Sequence, residues 1–117
     1  MLFLCYIVYS AIVYTNGTRV LLPYTPENKV MIMGGKRIFQ EKNCIACHQL
    51  YGLGGYLGPE LTTAWSDKHR GPEYMRAILR SGGSRMPDFG FTDKEINSLL
   101  YYLRYVDSTA VTYKITQ

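Results

Sequence analysis

The chain has 117 residues, thirteen Lys and Arg against nine Asp and Glu, and 47% apolar side chains. That length holds one small domain, and three cysteines, an odd number, exclude a framework built on disulfides alone. The net charge of +4 comes without a Lys/Arg run and with basic residues interleaved with acids, so it reads as a solvated surface and no nucleic-acid partner is expected.

Residues 2–14, LFLCYIVYSAIVY, carry no charge and little polarity. As a helix they measure about 20 Å, short of the roughly 30 Å hydrocarbon core of a bilayer. A cleaved signal peptide would want a basic start and a small-x-small cleavage site, and neither is present. A core helix of a small domain would not be apolar on every face. The expectation is therefore an N-terminal membrane anchor over residues 1–22. Thr15–Leu22 at the interface, or residues upstream of Met1, would lengthen it. Tyr6, Tyr9 and Tyr14 suit the headgroup level. Cys5 reads as a buried apolar thiol.

Residues 23–28 read as a linker, because Pro23 and Pro26 disfavour a continuing helix. Asn16-Gly17-Thr18 matches the N-glycosylation pattern, which is taken as chance. A domain over 29–117 follows, compact from about Glu27 to Thr109 and ending in a C-terminal tail. Its first helix is expected over Lys29–Lys42, with Val30, Met33, Ile38 and Phe39 as an imperfect apolar stripe. Gly34 and Gly35 each cost such a helix about 1 kcal/mol relative to Ala, so close packing should offset them. A second helix opens on Gly71-Pro72 and closes on Gly82-Gly83, a proline-first, glycine-last arrangement. The third has the clearest start. Thr92-Asp93-Lys94-Glu95 is a capping box, followed by Ile96, Leu99, Leu100, Leu103 and Val106 at helical spacing. No segment alternates as a strand would. Few helices with long glycine-rich loops imply that something large packs in the middle.

Two motifs carry chemistry. In Cys44-Ile45-Ala46-Cys47-His48, two thiols with two residues between them reach the vinyl groups of a haem, and the next imidazole is held at the iron. A thioredoxin-like reading wants a βαβ context, and a structural zinc site wants four ligands where only Cys5 and His69 remain. The second motif is Arg85-Met86-Pro87. A thioether is soft and neutral, suits haem iron and raises its reduction potential. Met86 sits in a loop between two helices, where a side chain can be aimed at a fixed point. Met75 falls on an amphipathic helix face, and His69 in a polar stretch. His48 and Met86 are thus the expected metal ligands. The Pro59 carbonyl is the candidate acceptor for the second ring nitrogen of His48. Arg85, Arg80, Tyr56 and Trp65 are candidate donors to haem propionates.

CIACH, GPEL, RMP and a capped terminal helix resemble class I cytochromes c over roughly residues 29–106. The resemblance implies an all-α class I cytochrome c fold around one covalent haem, here preceded by an N-terminal transmembrane helix. It also implies a close crossing of the first and last helices, with Gly35 and Phe39 facing Leu100, Leu103 or Tyr102. The stretch GKRIFQEKNCIACHQLYGLGGYLGPEL, followed by RMPDF, is similar to the cytochrome c subunits of bacterial nitric oxide reductases. That likeness implies a non-catalytic electron-transfer subunit of a membrane respiratory complex. It would pass single electrons from a soluble donor, such as a small cytochrome or cupredoxin, to a multi-span haem-copper-type catalytic subunit. The haem domain would face the periplasm or its equivalent. The alternative is a membrane-tethered cytochrome c that serves a terminal oxidase or shuttles between complexes.

Overall fold

The computed structural model describes residues 1–16 and 25–110. Residues 17–24, with most of the expected interface extension and the first part of the linker, and the tail from 111 lie outside the described residues.

The first helix, α1, is Leu2–Asn16, fifteen residues with no acidic or basic residue in its end turns. At 1.5 Å per residue it is about 22 Å long. No helix among the described residues is long and apolar enough to cross a membrane, which overturns the transmembrane helix expected over 1–22. Apolar character alone points to an anchor, but its length has to come from flanking residues, and the described helix covers only Leu2–Asn16. Its large apolar side chains are exposed, Leu2 at 89% and Tyr9 at 67%. Cys5 is exposed too, rather than buried.

The second helix, α2 (Pro26–Glu41), begins three residues earlier than expected. Pro26 is not a breaker here. It occupies the first turn, where a missing N–H costs nothing, and the Thr25 hydroxyl accepts the Asn28 N–H at 3.2 Å. Next come α3 (Pro72–Ser81), opening on Gly71-Pro72 and closing at Gly82, and α4 (Asp93–Thr109). A two-stranded antiparallel ribbon, β1 (Gln49–Leu50) with β2 (Leu53–Gly54), is also present, so the domain is not purely helical. Each strand is two residues long, too short to leave an alternating pattern in the sequence.

The core forms where α2 crosses α4. A Cβ at Gly35 would overlap the Ser98 carbonyl oxygen and meet the Tyr102 Cβ at 2.7 Å, so the two backbones touch at that glycine. One turn on, the rings of Phe39 and Tyr102 lie 5.6 Å apart at 59°. Ile96, Leu99, Leu100, Leu103 and Val106 of α4 pack with Phe39, Met75, Leu50 and Ala64 in one cluster. Polar ties flank it. Arg76 donates to Asn97 at 2.8 Å and joins α3 to α4. Asp107, only 3% exposed, accepts the Ser66 N–H at 2.9 Å and its hydroxyl at 2.8 Å, fastening the loop before α3.

The α4 capping box is formed as the sequence indicates. Glu95 N–H donates to the Thr92 hydroxyl at 3.3 Å, and Thr92 N–H donates to the Glu95 carboxylate at 2.8 Å. Thr92→Ala should cost about 1 kcal/mol of stability, read from a denaturant midpoint. The backbone N–H of Thr92, then its hydroxyl, holds the Glu95 carboxyl below its ordinary range. That contribution is full above the ordinary glutamate value and is lost as pH falls through the lowered one. Thr92→Ala removes the hydroxyl's share and keeps the backbone N–H, so the acid side of the stability profile should become only somewhat shallower. An unchanged midpoint and profile would show that the cap contributes nothing.

Candidate haem site

Asn43, with φ of 51°, turns the chain out of α2 into a single 3-10 turn, Cys44–Ala46. Cys47 N–H and His48 N–H both donate to the Cys44 carbonyl, at 3.2 and 3.0 Å. This tight turn brings both thiols and the imidazole to one cavity. The ribbon then reverses the chain. Tyr51 and Gly52, with φ of 54° and 78°, are the central pair of a two-residue turn of the type that needs positive φ at both positions. Tyr51 N–H donates to the Thr62 hydroxyl at 2.6 Å, and the Thr62 hydroxyl in turn donates to the Glu60 carboxylate. Gly55 N–H bonds the Ile45 carbonyl at 2.9 Å, and Gly58 N–H the Cys47 carbonyl at 2.7 Å.

These bonds press residues 55–59 against the cysteine turn. A Cβ at Gly58 would overlap the His48 ring, lying 2.6 Å from Nδ1, so only glycine lets the imidazole sit there. His48 Nδ1 lies 2.8 Å from the Pro59 carbonyl oxygen. With a proton on Nδ1 the ring donates this bond, and the Nε2 lone pair is left for a metal. Burial is the main cause that pushes the Cys44 thiol above its ordinary pKa, against a backbone hydrogen bond that lowers it. Among the described residues no group of three or more His, Cys, Asp and Glu could hold a metal ion.

The cavity measures about 530 Å³. Its apolar walls come from α2, α3, α4 and the loop before α3: Phe39, Leu61, Met75, Ile78, Leu99 and Leu103. The loop after α3 adds Met86, Pro87 and Phe89. Cations stand at it as well, Lys42, Arg70 and Arg85, with Glu60. Two thiols, an imidazole, thioethers, an apolar lining and cations suit a flat apolar plate with a ligated iron and two carboxylates. A haem c therefore fits the residues present.

The structure brings Cys44, Cys47, His48, Pro59, Arg85 and Met86 to this one cavity. It does not bring the three other candidates, Tyr56, Trp65 and Arg80, there. Tyr56 is 86% exposed and outside the lining. Trp65 packs against the core outside the lining, with the Arg104 guanidinium 5.4 Å from its ring centre. Arg80 pairs with Asp93 at 2.6 Å on the surface. His69 is exposed and off the cavity. Sequence reasoning passed over Lys42, Arg70 and Met75 as lining residues. Arg70 had a signal in its place just before Gly71-Pro72. Asp67 holds it there through its guanidinium at 3.1 Å and its backbone N–H at 2.9 Å. The backbone N–H groups of His69 and Arg70 are the main cause that keeps the Asp67 carboxyl below its ordinary range.

A helical domain closed over a Cys-x-x-Cys-His cavity defines a c-type cytochrome. The family described as "Cytochrome C oxidase, cbb3-type, subunit III" matches residues 31–103, and the chain belongs to it. Among curated proteins it is similar to the C subunit of nitric oxide reductase from Halomonas halodenitrificans, 35% identical over 65% of this chain and 59% of that one. The protein of the same name from Cereibacter sphaeroides is 30% identical, over 71% of this chain and 65% of that one. The one from Paracoccus denitrificans is 32% identical, over 62% and 56%. The chain thus spans about three-fifths of the length of the curated relatives it matches.

Proposed function

We propose that this chain holds one covalent haem c and is the electron-transfer subunit of a nitric oxide reductase. In this reading it has no catalytic chemistry of its own. It takes single electrons from a soluble donor, such as a small cytochrome or cupredoxin, and passes them to a multi-span haem-copper-type catalytic subunit. The observation that carries the reading is the cavity itself, where the cysteine turn, His48 and Met86 meet among apolar walls. The name shared by the curated relatives supports the choice of complex.

When bound, haem c supplies an iron that gains and loses one electron. The chain's own residues do the rest. Cys44 and Cys47 would hold the haem covalently, each thiol adding across a vinyl group so that a C–S bond forms and the thiol hydrogen goes to the neighbouring carbon. His48 would hold the iron through Nε2, with its ring fixed by the Pro59 carbonyl, and Met86 would supply a second ligand. Arg85, with Lys42 and Arg70, would offer positive charge to the propionates. The apolar walls exclude water, which limits reorganisation on electron transfer. In bacteria such haem attachment takes place outside the cytoplasm, so the domain belongs in the periplasm or its equivalent.

Cys44→Ala/Cys47→Ala is expected to abolish haem staining after denaturing electrophoresis, because a merely ligated haem is released. A double variant that keeps the stain would sink the covalent reading. The complex is tested by purification in mild detergent, where a nitric-oxide-reducing catalytic subunit should accompany the chain. The family description favours one second reading, service to an oxygen-reducing terminal oxidase. Co-purification of an oxygen reductase would decide for it, and recovery of the chain alone would count against both.

A further inference from the structure

The loop that carries Met86 leaves α3 through Gly82, which is buried and has φ of 70° and ψ of −171°. This region of backbone space is open essentially only to glycine. Gly82 N–H closes the helix on the Ile78 carbonyl at 2.8 Å. Immediately afterwards Gly83 N–H donates to the Met86 carbonyl, also at 2.8 Å. The segment therefore doubles back so that Met86 and its neighbours lie against Gly82. A Cβ there would stand 2.8 Å from Asp88 N, 2.9 Å from the Met86 carbonyl oxygen and 3.1 Å from Pro87 C. All three are backbone atoms, which cannot swing aside as the end of a flexible side chain can. Gly83 differs. A Cβ there would meet only the Ile78 Cδ1 at 3.6 Å, an ordinary contact.

We infer that Gly82 is the positioning residue for the distal iron ligand: its backbone conformation and bare Cα fix where Met86 stands at the cavity. The inference rests on the reading of Met86 as ligand. Any side chain at 82 has two outlets. It can leave the strained backbone region, which re-aims the loop, or stay there and push residues 86–88 away. Both move the Met86 sulfur without touching Cys44, Cys47 or His48. Haem attachment should survive while distal ligation weakens.

The test compares Gly82→Ala, Gly83→Ala and Met86→Leu as holoproteins. In Gly82→Ala the ferric Met–iron charge-transfer band should be lost or sharply reduced, and the reduction potential should fall. Imidazole should displace the native ligand about tenfold or more readily, the scale that strain of this kind sets. Gly83→Ala keeps the N–H that bonds the Met86 carbonyl and meets no backbone, so its band and potential should stay much closer to the wild type than those of Gly82→Ala. If Met86→Leu keeps the band, the ligand reading fails, and this inference with it. If Met86→Leu loses the band while Gly82→Ala keeps band, potential and imidazole affinity, the ligand reading stands and the inference about Gly82 is overturned. Should Gly82→Ala not accumulate as holoprotein, the wild type decides. Displacing Met86 with imidazole should speed hydrogen exchange at Gly83 N–H and leave Gly82 N–H protected. Unchanged exchange at Gly83 would mean that the turn does not hold the ligand.

Discussion

Met86→His is expected to lower the reduction potential while leaving the haem attached. Axial ligands spread haem potentials over roughly 0.8 V, and exchanging a thioether for an imidazole moves toward the low end. A neutral soft sulfur favours the ferrous iron, whereas a second imidazole stabilises the ferric state. Attachment is independent of this position, because Cys44, Cys47 and His48 sit in their own turn, held by its own backbone bonds. The measurement is a redox titration of the holoprotein, with the ferric spectrum as a second readout. Met75 gives the comparison. Its side chain also lines the cavity, but from the body of α3 and within the core cluster. Met75→Leu conserves volume and should cost under about 1.5 kcal/mol of stability with the potential nearly unmoved. If Met75→Leu shifted the potential and Met86→His did not, the ligand would be Met75.

The two adjacent glycines of α2 should respond to alanine in opposite directions. At Gly35 a Cβ overlaps the Ser98 carbonyl and presses on Tyr102, so α2 and α4 must separate. Overpacking of a core costs about 1–3 kcal/mol and sometimes more. Here the obstacle is backbone, and separation also loosens Phe39 against Tyr102. A loss of about 3 kcal/mol or more is expected, a large part of a small domain's stability. At Gly34 a Cβ would meet the Ser98 Oγ at 3.6 Å and Cβ at 3.8 Å, ordinary contacts. There the helix propensity of alanine should win and stabilise by about 0.5–1 kcal/mol. Denaturant midpoints of the two holoproteins check both signs. A Gly35→Ala protein as stable as the wild type would refute the close crossing.

The glycine pair shows how far the sequence can be read. Two glycines inside an apolar stripe announce that something packs closely, because otherwise their helix cost is unexplained. Which of the two is in contact depends on the rotation of α2 about its axis, and α4 sets that rotation from some sixty residues away in the chain. Pro26 misled for a related reason. A proline is both a breaker and a good first residue, and Thr25 capping Asn28 decides between them. The first helix misled differently. Its apolar composition was plain, but its length was inferred, and fifteen residues do not cross a bilayer. The ribbon at 49–54 could not be read at all. Two-residue strands have no period, and their turn uses Tyr51 at a position where Asn or Gly would have been the signal.

What the sequence determined by itself was the chemistry written in adjacent residues and the helix ends signalled by local capping. Cys44, Cys47 and His48 need only one turn of chain to meet. Gly71-Pro72 and the Thr92–Glu95 box act within three residues. Only the tertiary structure decided what depends on long returns of the chain. It set His48 against Pro59 across eleven residues and Ser66 against Asp107 across forty-one. It also drew Lys42, Arg70 and Met75 to the cavity and left Tyr56 and Trp65 off it. Local signals are strong because a few dihedral angles settle them. Side-chain meetings between distant segments are settled by how whole helices pack, and no short run of residues encodes that.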